Sequence, residues 1–487
     1  MTDASGVPGG GGRATLRDRV LALRSSDIGR AGGLAGAMIA NNVVALGSTV
    51  VFARLLDDYG SLAALISYYL ILSVVGQALQ VATARDAVLG QLGEGPALAA
   101  TLRSWTRTLL LVTVASAVVS VLLRAPIASA VGVHQQWAAA IGLPAGVLWL
   151  LLSLLRGGLQ GAGDYRAVGI SLVGEQTARL VLGATLAAVG LGVTGAYLGT
   201  PLSLIAMALY CDVALRRRVT SPAGDPLAVA GGRNTGFDAP PARSLRDHIV
   251  GARIPIAGLT VVALLQNLDI IAGKHRFSTD VASSYSATAV AAKVLIWVAM
   301  GAGFYLVPET SRRHAEGEDT RPVLLRTLAI VLVCAVPVLL IFAVGGRQLL
   351  KAAFGAKHLL AVDALLPLGV AFTLLALTYL AIQYLLALRR TRFLVPLGAI
   401  AIAEPVLLLT VAPTSPNGFA AVVLAVQAAA AAVALVLAFA QRPASPDQRS
   451  LSPVTSRGRG SDRSEASRGS TRARPGPLDP EGDLQDA

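Results

Sequence analysis

Glu175 and Arg179 stand four residues apart inside a long apolar stretch, which puts a carboxylate and a guanidinium on one helix face with the acid first, the favourable order for an ion pair. An unpartnered charge at the centre of a membrane helix costs about 2.5 to 3.5 kcal/mol, so such residues mark either an internal pair or a wet, functional surface. Arginine suits phosphate groups because its planar fork offers paired donors, whereas a lysine ammonium acts as a point charge. Arg179, held by Glu175, is therefore a candidate anion ligand, and Lys293 is a second cation from the other half of the chain. The competing readings are an ion pair that neutralises its own burial and, for Lys293, a structural contact between the halves. Glu404, beside Pro405, and Asp269 are candidates for coupling to a proton or Na+; for Glu404 the alternative is a packing hydrogen bond. Asn41, Asn42, Gln77, Gln80, Gln266 and Asn267 could offer hydrogen bonds to hydroxyl-rich ligands or join helices.

The elements that must position these residues are membrane spans. A hydrocarbon core of ~30 Å takes about 20 apolar residues as helix, and twelve segments answer to that pattern. They fall at 32–52, 61–83, 108–123, 137–155, 168–189, 192–213, 249–271, 284–306, 323–343, 364–388, 393–412 and 418–440. Arginine accumulates on alternate sides of them. One set of loops and span ends holds Arg13, Arg17, Arg19, Arg24, Arg30, Arg85, Arg103, Arg107, Arg156, Arg166, Arg216, Arg217, Arg218, Arg312, Arg313, Arg389, Arg390 and Arg392. The other holds Arg54, Arg124, Lys274, Arg276, Arg347, Lys351 and Lys357. Because basic residues resist translocation, both termini are expected in the cytoplasm of a multi-pass protein of the cytoplasmic membrane. The net charge of +13 is mostly this signal and does not indicate nucleic-acid binding.

Five regions follow. Residues 1–31 form a polar cytoplasmic segment, 32–213 a six-helix lobe, 214–248 a Pro-, Gly- and Ser-rich cytoplasmic linker, 249–441 a second six-helix lobe, and 442–487 a tail whose composition predicts disorder. The expected fold is thus an all-α integral membrane protein of 12 transmembrane helices in two lobes around a central cavity. A short repeat relates the lobes: Tyr165 precedes Glu175 by ten residues in the fifth span, and Phe393 precedes Glu404 by eleven in the eleventh. Gly32, Gly142, Gly157 and Gly195 are each followed by glycine four residues on, a spacing that permits close helix approach. Arg54, Arg85 and Arg253 sit at span ends, where snorkelling accounts for them.

Chemistry of other kinds is not encoded. No HExxH, GxSxG or Gly-rich loop ending in GK[ST] occurs, so no enzyme, metal or cofactor is indicated, and energy for any transport must come from an ion gradient, the membrane potential or consumption of the cargo. Cys211 and Cys334 both fall in spans, and no disulfide framework is implied.

Four stretches together carry a family likeness. LGSTVVFARLLDDYGSLAAL joins spans one and two, RGGLQGAGDYRAVGISLVGEQTARLVLG joins four and five, LLQNLDIIAGKHRFSTDVASSYSATAVAAKVLIWV covers seven and eight, and KAAFGAKHLLAVDALLPLGVAF leads into span ten. From Gly32 to Ala440 the chain resembles the polysaccharide flippases of the multidrug, oligosaccharidyl-lipid and polysaccharide exporter superfamily. The resemblance implies alternating-access transport of an isoprenoid-pyrophosphate-linked oligosaccharide for envelope polysaccharide synthesis. Membrane lipids are then expected partners, and glycan polymerases and glycosyltransferases candidate ones. Lipid II flippases usually carry two further helices that this chain lacks. A cation-coupled drug antiporter of the same superfamily is the alternative; cavity carboxylates would favour it, and here Arg179 and Lys293 match them. A membrane glycosyltransferase or polymerase would need larger outer loops than the longest here, Gly345 to Asp363.

Overall fold

The computed structural model describes residues 27–220 and 244–440; most of the N-terminal segment, the middle of the linker and the tail expected from the sequence lie outside the described residues. Everything regular among the described residues is helical, as a chain crossing hydrocarbon must be if its backbone groups are to be satisfied without water. The first lobe comprises α1 (Asp27–Leu55), α2 (Tyr59–Val88), α3 (Pro96–Leu122), the short α4 (Arg124–Val131), α5 (Gln136–Gly161), α6 (Tyr165–Leu186) and α7 (Gly192–Thr220). After α8 (Leu245–Gly251), the second comprises α9 (Arg253–Arg276), α10 (Thr279–Ala292), α11 (Val294–Glu316), α12 (Arg321–Phe354), α13 (Leu365–Ala387), α14 (Leu394–Thr410) and α15 (Pro416–Phe439).

Among the described residues ten segments are long and apolar enough to cross a membrane, and α14 is a shorter apolar helix. One of the ten, Tyr165–Arg218, is two spans folded back at Gly190, whose φ of 101° glycine alone adopts comfortably. The result is the expected 12 crossings in two lobes. Sequence signals fix many of the ends: Asp58, Asp164, Ser244 and Ser415 cap α2, α6, α8 and α15, and Pro96 and Pro416 open α3 and α15.

Several boundaries differ from expectation. The third span begins at Pro96 and the ninth runs to Phe354, because polar residues at helix ends continue the helix beyond the apolar run. The eighth is broken at Lys293, between α10 and α11. Helices α7 and α8 reach into the stretch expected as linker, to Thr220 and from Leu245.

Within the first lobe α5 packs against α2, α3 and α7, and α6 packs against α1 and α7. The second is built around α13, which is apolar on all sides and is surrounded by α9, α11, α12 and α15. By contrast α12 exposes Val333, Ile341 and Val344, a surface suited to lipid. The lobes meet where α9 and α10 lie on α2. Glycine permits the closest approaches: a Cβ at Gly199 would stand 2.7 Å from the Arg179 carbonyl oxygen of α6, and one at Gly157 2.6 Å from that of Gln80. Gly36 has open space around it, so its spacing to Gly32 reflects no contact at Gly36.

Candidate functional site

In the first lobe, small residues let α5 bring an arginine into the interior. Arg156 is fully buried; its Nε donates to Ser171 Oγ at 2.8 Å, and its Nη2 donates to the Ser171 carbonyl at 2.7 Å and to Glu175 Oε2 at 3.4 Å. Its guanidinium lies 5.4 Å from the centre of the Trp149 ring. The other oxygen of Glu175 accepts from Arg179, whose guanidinium lies over Tyr69. One carboxylate is thus shared by two guanidiniums, and the cluster carries a formal excess of one positive charge. Arg156 is therefore not a loop arginine of the kind that orients the bundle, because it stands inside the lobe and is satisfied there.

Arg179 differs from its neighbour. Its side chain is 14% exposed against 1% for Arg156, and its Nε, which is buried, has no hydrogen-bond partner among the described residues. A guanidinium has five N–H donors, and among the described residues Glu175 and the Tyr69 hydroxyl beside it leave several of them open. The cluster can therefore accept a further anion without giving up its internal bonds.

The second lobe holds a cluster of opposite sign. The break between α10 and α11 places Lys293 at the end of α10, where a cation faces the helix carbonyls favourably. Its Nζ donates to Asp269 Oδ1 on α9 at 3.1 Å and stands 5.1 Å from the centre of the Phe372 ring. These are contacts within one lobe, so the expected contact between lobes is corrected. Glu404 on α14 is fully buried, accepts from Gln427 Nε2 at 3.4 Å, and lies within electrostatic reach of Asp269 and Lys293. Gln427 also donates to the Leu265 carbonyl at 2.8 Å. Glu404 Oε2 has no hydrogen-bond partner among the described residues, and the Tyr285 hydroxyl lies beside the Asp269 carboxylate. Two carboxylates face one ammonium, and a proton or small cation would complete the set.

Of the other sequence candidates, Asn267 is buried and returns its amide to Ala263 of its own helix at 3.0 Å. Asn41 and Asn42 are half-buried on α1, Gln266 is half-buried on α9, and Gln77 is exposed. Among the described residues no hydrogen bond joins these four to either cluster. Arg156, Gln427 and Tyr285 are the members that sequence reasoning missed. Gln427 had left a signal, a lone amide in an alanine-rich span.

At the end of the bundle poor in arginine the lobes are joined by a polar seam. Arg54, in the last turn of α1, donates to the Ala352 and Ala353 carbonyls that end α12. In return Lys357 donates to the Leu56 carbonyl at 2.9 Å, and His358 Nε2 lies 2.8 Å from the Ala53 carbonyl. Each lobe so caps a helix of the other, satisfying carbonyls that a helix end leaves free. Lys274 adds a bond of 2.7 Å to Asp58, and Ser283 Oγ accepts from the Gly60 amide at 2.9 Å. Burial pushes the Asp58 carboxyl up, but Lys274 and Ser61 outweigh it and hold the group below the usual carboxylate range. Arg54 therefore does more than snorkel.

No family model matches this chain, and no curated protein matches it. Several solved structures do. An inward-facing multidrug resistance MATE family transporter of the MOP superfamily matches with a TM-score of 0.64 at 14% identity, over 82% of this chain and 94% of the other. The lipid II flippase MurJ in an inward closed conformation gives 0.62 at 12%, over 83% and 87%. A MOP superfamily transporter from Pyrococcus furiosus, described as having a binding pocket of reverse polarity, gives 0.57 at 13%, over 86% and 97%. At such identities the likeness establishes the fold: this chain has the two-lobe helical architecture found in transporters of the MOP superfamily.

Proposed function

We propose that this chain is a membrane transporter that moves an isoprenoid-pyrophosphate-linked oligosaccharide from the cytoplasmic to the outer leaflet of the cytoplasmic membrane, by alternating access of its two lobes. The observation that carries the reading is Arg179: a partly exposed guanidinium in a net cationic cluster, with an unpartnered Nε. A pyrophosphate could engage that fork bidentately while Glu175 and Arg156 hold it in place. The net anionic cluster of the other lobe supplies the coupling site, where Glu404 would take a proton or Na+ as the lobes exchange. Both termini lie in the cytoplasm in this proposal, and the seam at Asp58 and Lys274 is the outer closure.

One observation favours a second reading. Two carboxylates against one ammonium would also suit a cationic small molecule, as in a drug antiporter. Expression in a strain lacking its own oligosaccharide flippase separates the two. Restored glycan export supports the first reading; resistance to cationic drugs without restored export supports the second.

A further inference from the structure

A cavity that no member of either charge cluster lines lies between α1 and α6 at the arginine-rich end. It encloses about 980 Å3. Leu34 and Ala37 of α1 and Ile170, Val173 and Thr177 of α6 form its walls, and Tyr165 and Arg166 stand at its mouth. Along α6 it runs from Tyr165 to Thr177, ~18 Å at ~1.5 Å per residue, which is over half of a hydrocarbon core of ~30 Å. A second cavity, of about 450 Å3, shares Tyr165 and adds Arg85 and Gln160. The shared tyrosine thus lies between two arginines that are both exposed. Among the described residues neither Arg85 nor Arg166 takes part in an ion pair, and Asp164, which also lines the cavity, caps α6 by accepting from the Ala167 amide at 3.0 Å.

We propose that the cleft between α1 and α6 docks the lipid end of the cargo, a single isoprenoid chain along the apolar walls with its phosphate at Arg166 and Arg85; this rests on the flippase reading above. Lipid tails are as apolar as leucine, so apolar contact alone gives such a cleft no preference over the surrounding bilayer. The preference comes from shape and charge. One helix bounds each side, and a Cβ on Gly169 would already stand 3.1 Å from that of Ala37, so the floor is narrow and suits one chain. The mouth offers two guanidiniums to one phosphate, the charge complement that an isoprenoid phosphate presents and a neutral lipid does not. Docked this way, the cargo would be held at the arginine-rich end before its head group moves along α6 towards Arg179.

Native mass spectrometry of the full chain purified in neutral detergent tests this, with a long-chain polyprenyl phosphate and phosphatidic acid as probes that both carry a phosphomonoester headgroup. Wild type should retain polyprenyl phosphate in preference to phosphatidic acid. Ile170→Trp, which fills the cleft, and Arg166→Gln, which removes its charge, should each lower that retention by about tenfold. Val181→Trp, an exposed position on the same helix beyond the cleft, should retain it as wild type does and controls for folding. Equal retention by Ile170→Trp, Arg166→Gln and wild type would overturn the cleft while leaving the flippase reading intact. Equal retention of the two probes by wild type would make the site a general anionic-lipid groove and overturn its assignment to cargo. Failure of wild type to retain polyprenyl phosphate at all would remove the flippase reading along with it.

Discussion

Glu175 and Glu404 each stand at the eleventh residue of their helix, counted from Tyr165 and from Leu394, and each is buried. Their company is inverted. Glu175 is shared by two arginines, whereas Glu404 has an amide from Gln427 and the field of a second carboxylate and one lysine. The repeat therefore placed an acid at matching depth in both lobes, and the surroundings gave one lobe a surplus cation and the other a surplus anion. A cargo anion and a coupling cation could then occupy different lobes.

The two arginines of the first cluster should fail differently. Removing one partner of a buried, hydrogen-bonded charge set costs about 3 to 5 kcal/mol when the remaining charge is stranded. Arg156→Gln strands the Ser171 carbonyl and half of Glu175, so its abundance in the membrane should fall sharply. Arg179→Gln leaves Glu175 paired with Arg156 and should accumulate near the wild-type level. Quantitative immunoblotting of membrane fractions checks both, and equal loss in the two variants would contradict the division of roles.

The seam should behave as an outer gate held by polar bonds. A partly exposed ion pair contributes about 1 kcal/mol, so Lys274→Met should raise the reactivity of an Ala282→Cys reporter towards an impermeant thiol reagent by about fivefold. Asp58 is depressed, so its pairing contributes at all pH values above the ordinary carboxylate range and is lost only as pH falls through the lower, folded value. His358 is also held below its usual range, by burial in the main, with the bond to Ala53 opposing and Lys357 adding to the effect. Reporter labelling in wild type should consequently stay flat from neutral to mildly acid pH. A steep rise on mild acidification would contradict this account of the seam.

Orientation of the bundle follows from the arginine asymmetry and can be read directly. In a background free of Cys211 and Cys334, Ser278→Cys, in the exposed turn between α9 and α10, should label from outside intact cells, and Ser244→Cys, at the cap of α8, should not. Reversed labelling would invert the assignment of sides.

Much of this was legible in the sequence because membrane spans announce themselves by length and because glutamate or lysine inside one is rare. The spans, the two lobes and the residues Glu175, Arg179, Lys293, Asp269 and Glu404 were all visible for that reason. Their groupings were not. Arg156 sits near the end of an apolar run, where a snorkelling arginine looks the same; only the packing of α5 on α6 distinguishes it. The sequence around Lys293 reads as a continuous helix, since an alanine-rich run gives no signal for the break beside which it bonds to Asp269. The reciprocal capping by Arg54 and Lys357 joins residues about 300 apart in the chain, a relation that local pattern does not carry.

Coupling should depend on Glu404. Glu404→Gln keeps the volume and a hydrogen bond to Gln427 while removing one of the two carboxylates, so protein levels should hold. Transport by the reconstituted variant should lose its response to an imposed proton or Na+ gradient. Gradient-driven transport at the wild-type rate would show that the ion binds elsewhere.

The most direct test of the central claim is flipping by the purified protein in liposomes, using an isoprenoid-pyrophosphate-linked oligosaccharide and an added glycosidase that cleaves only exposed head groups. Wild type should carry the cargo across, Arg179→Lys should do so slowly because charge survives while the paired fork is lost, and Arg179→Gln should not. A double variant, Glu175→Gln with Arg179→Gln, that flipped cargo at the wild-type rate would contradict the account, since the pair would then be structural and the pyrophosphate would be bound by other residues.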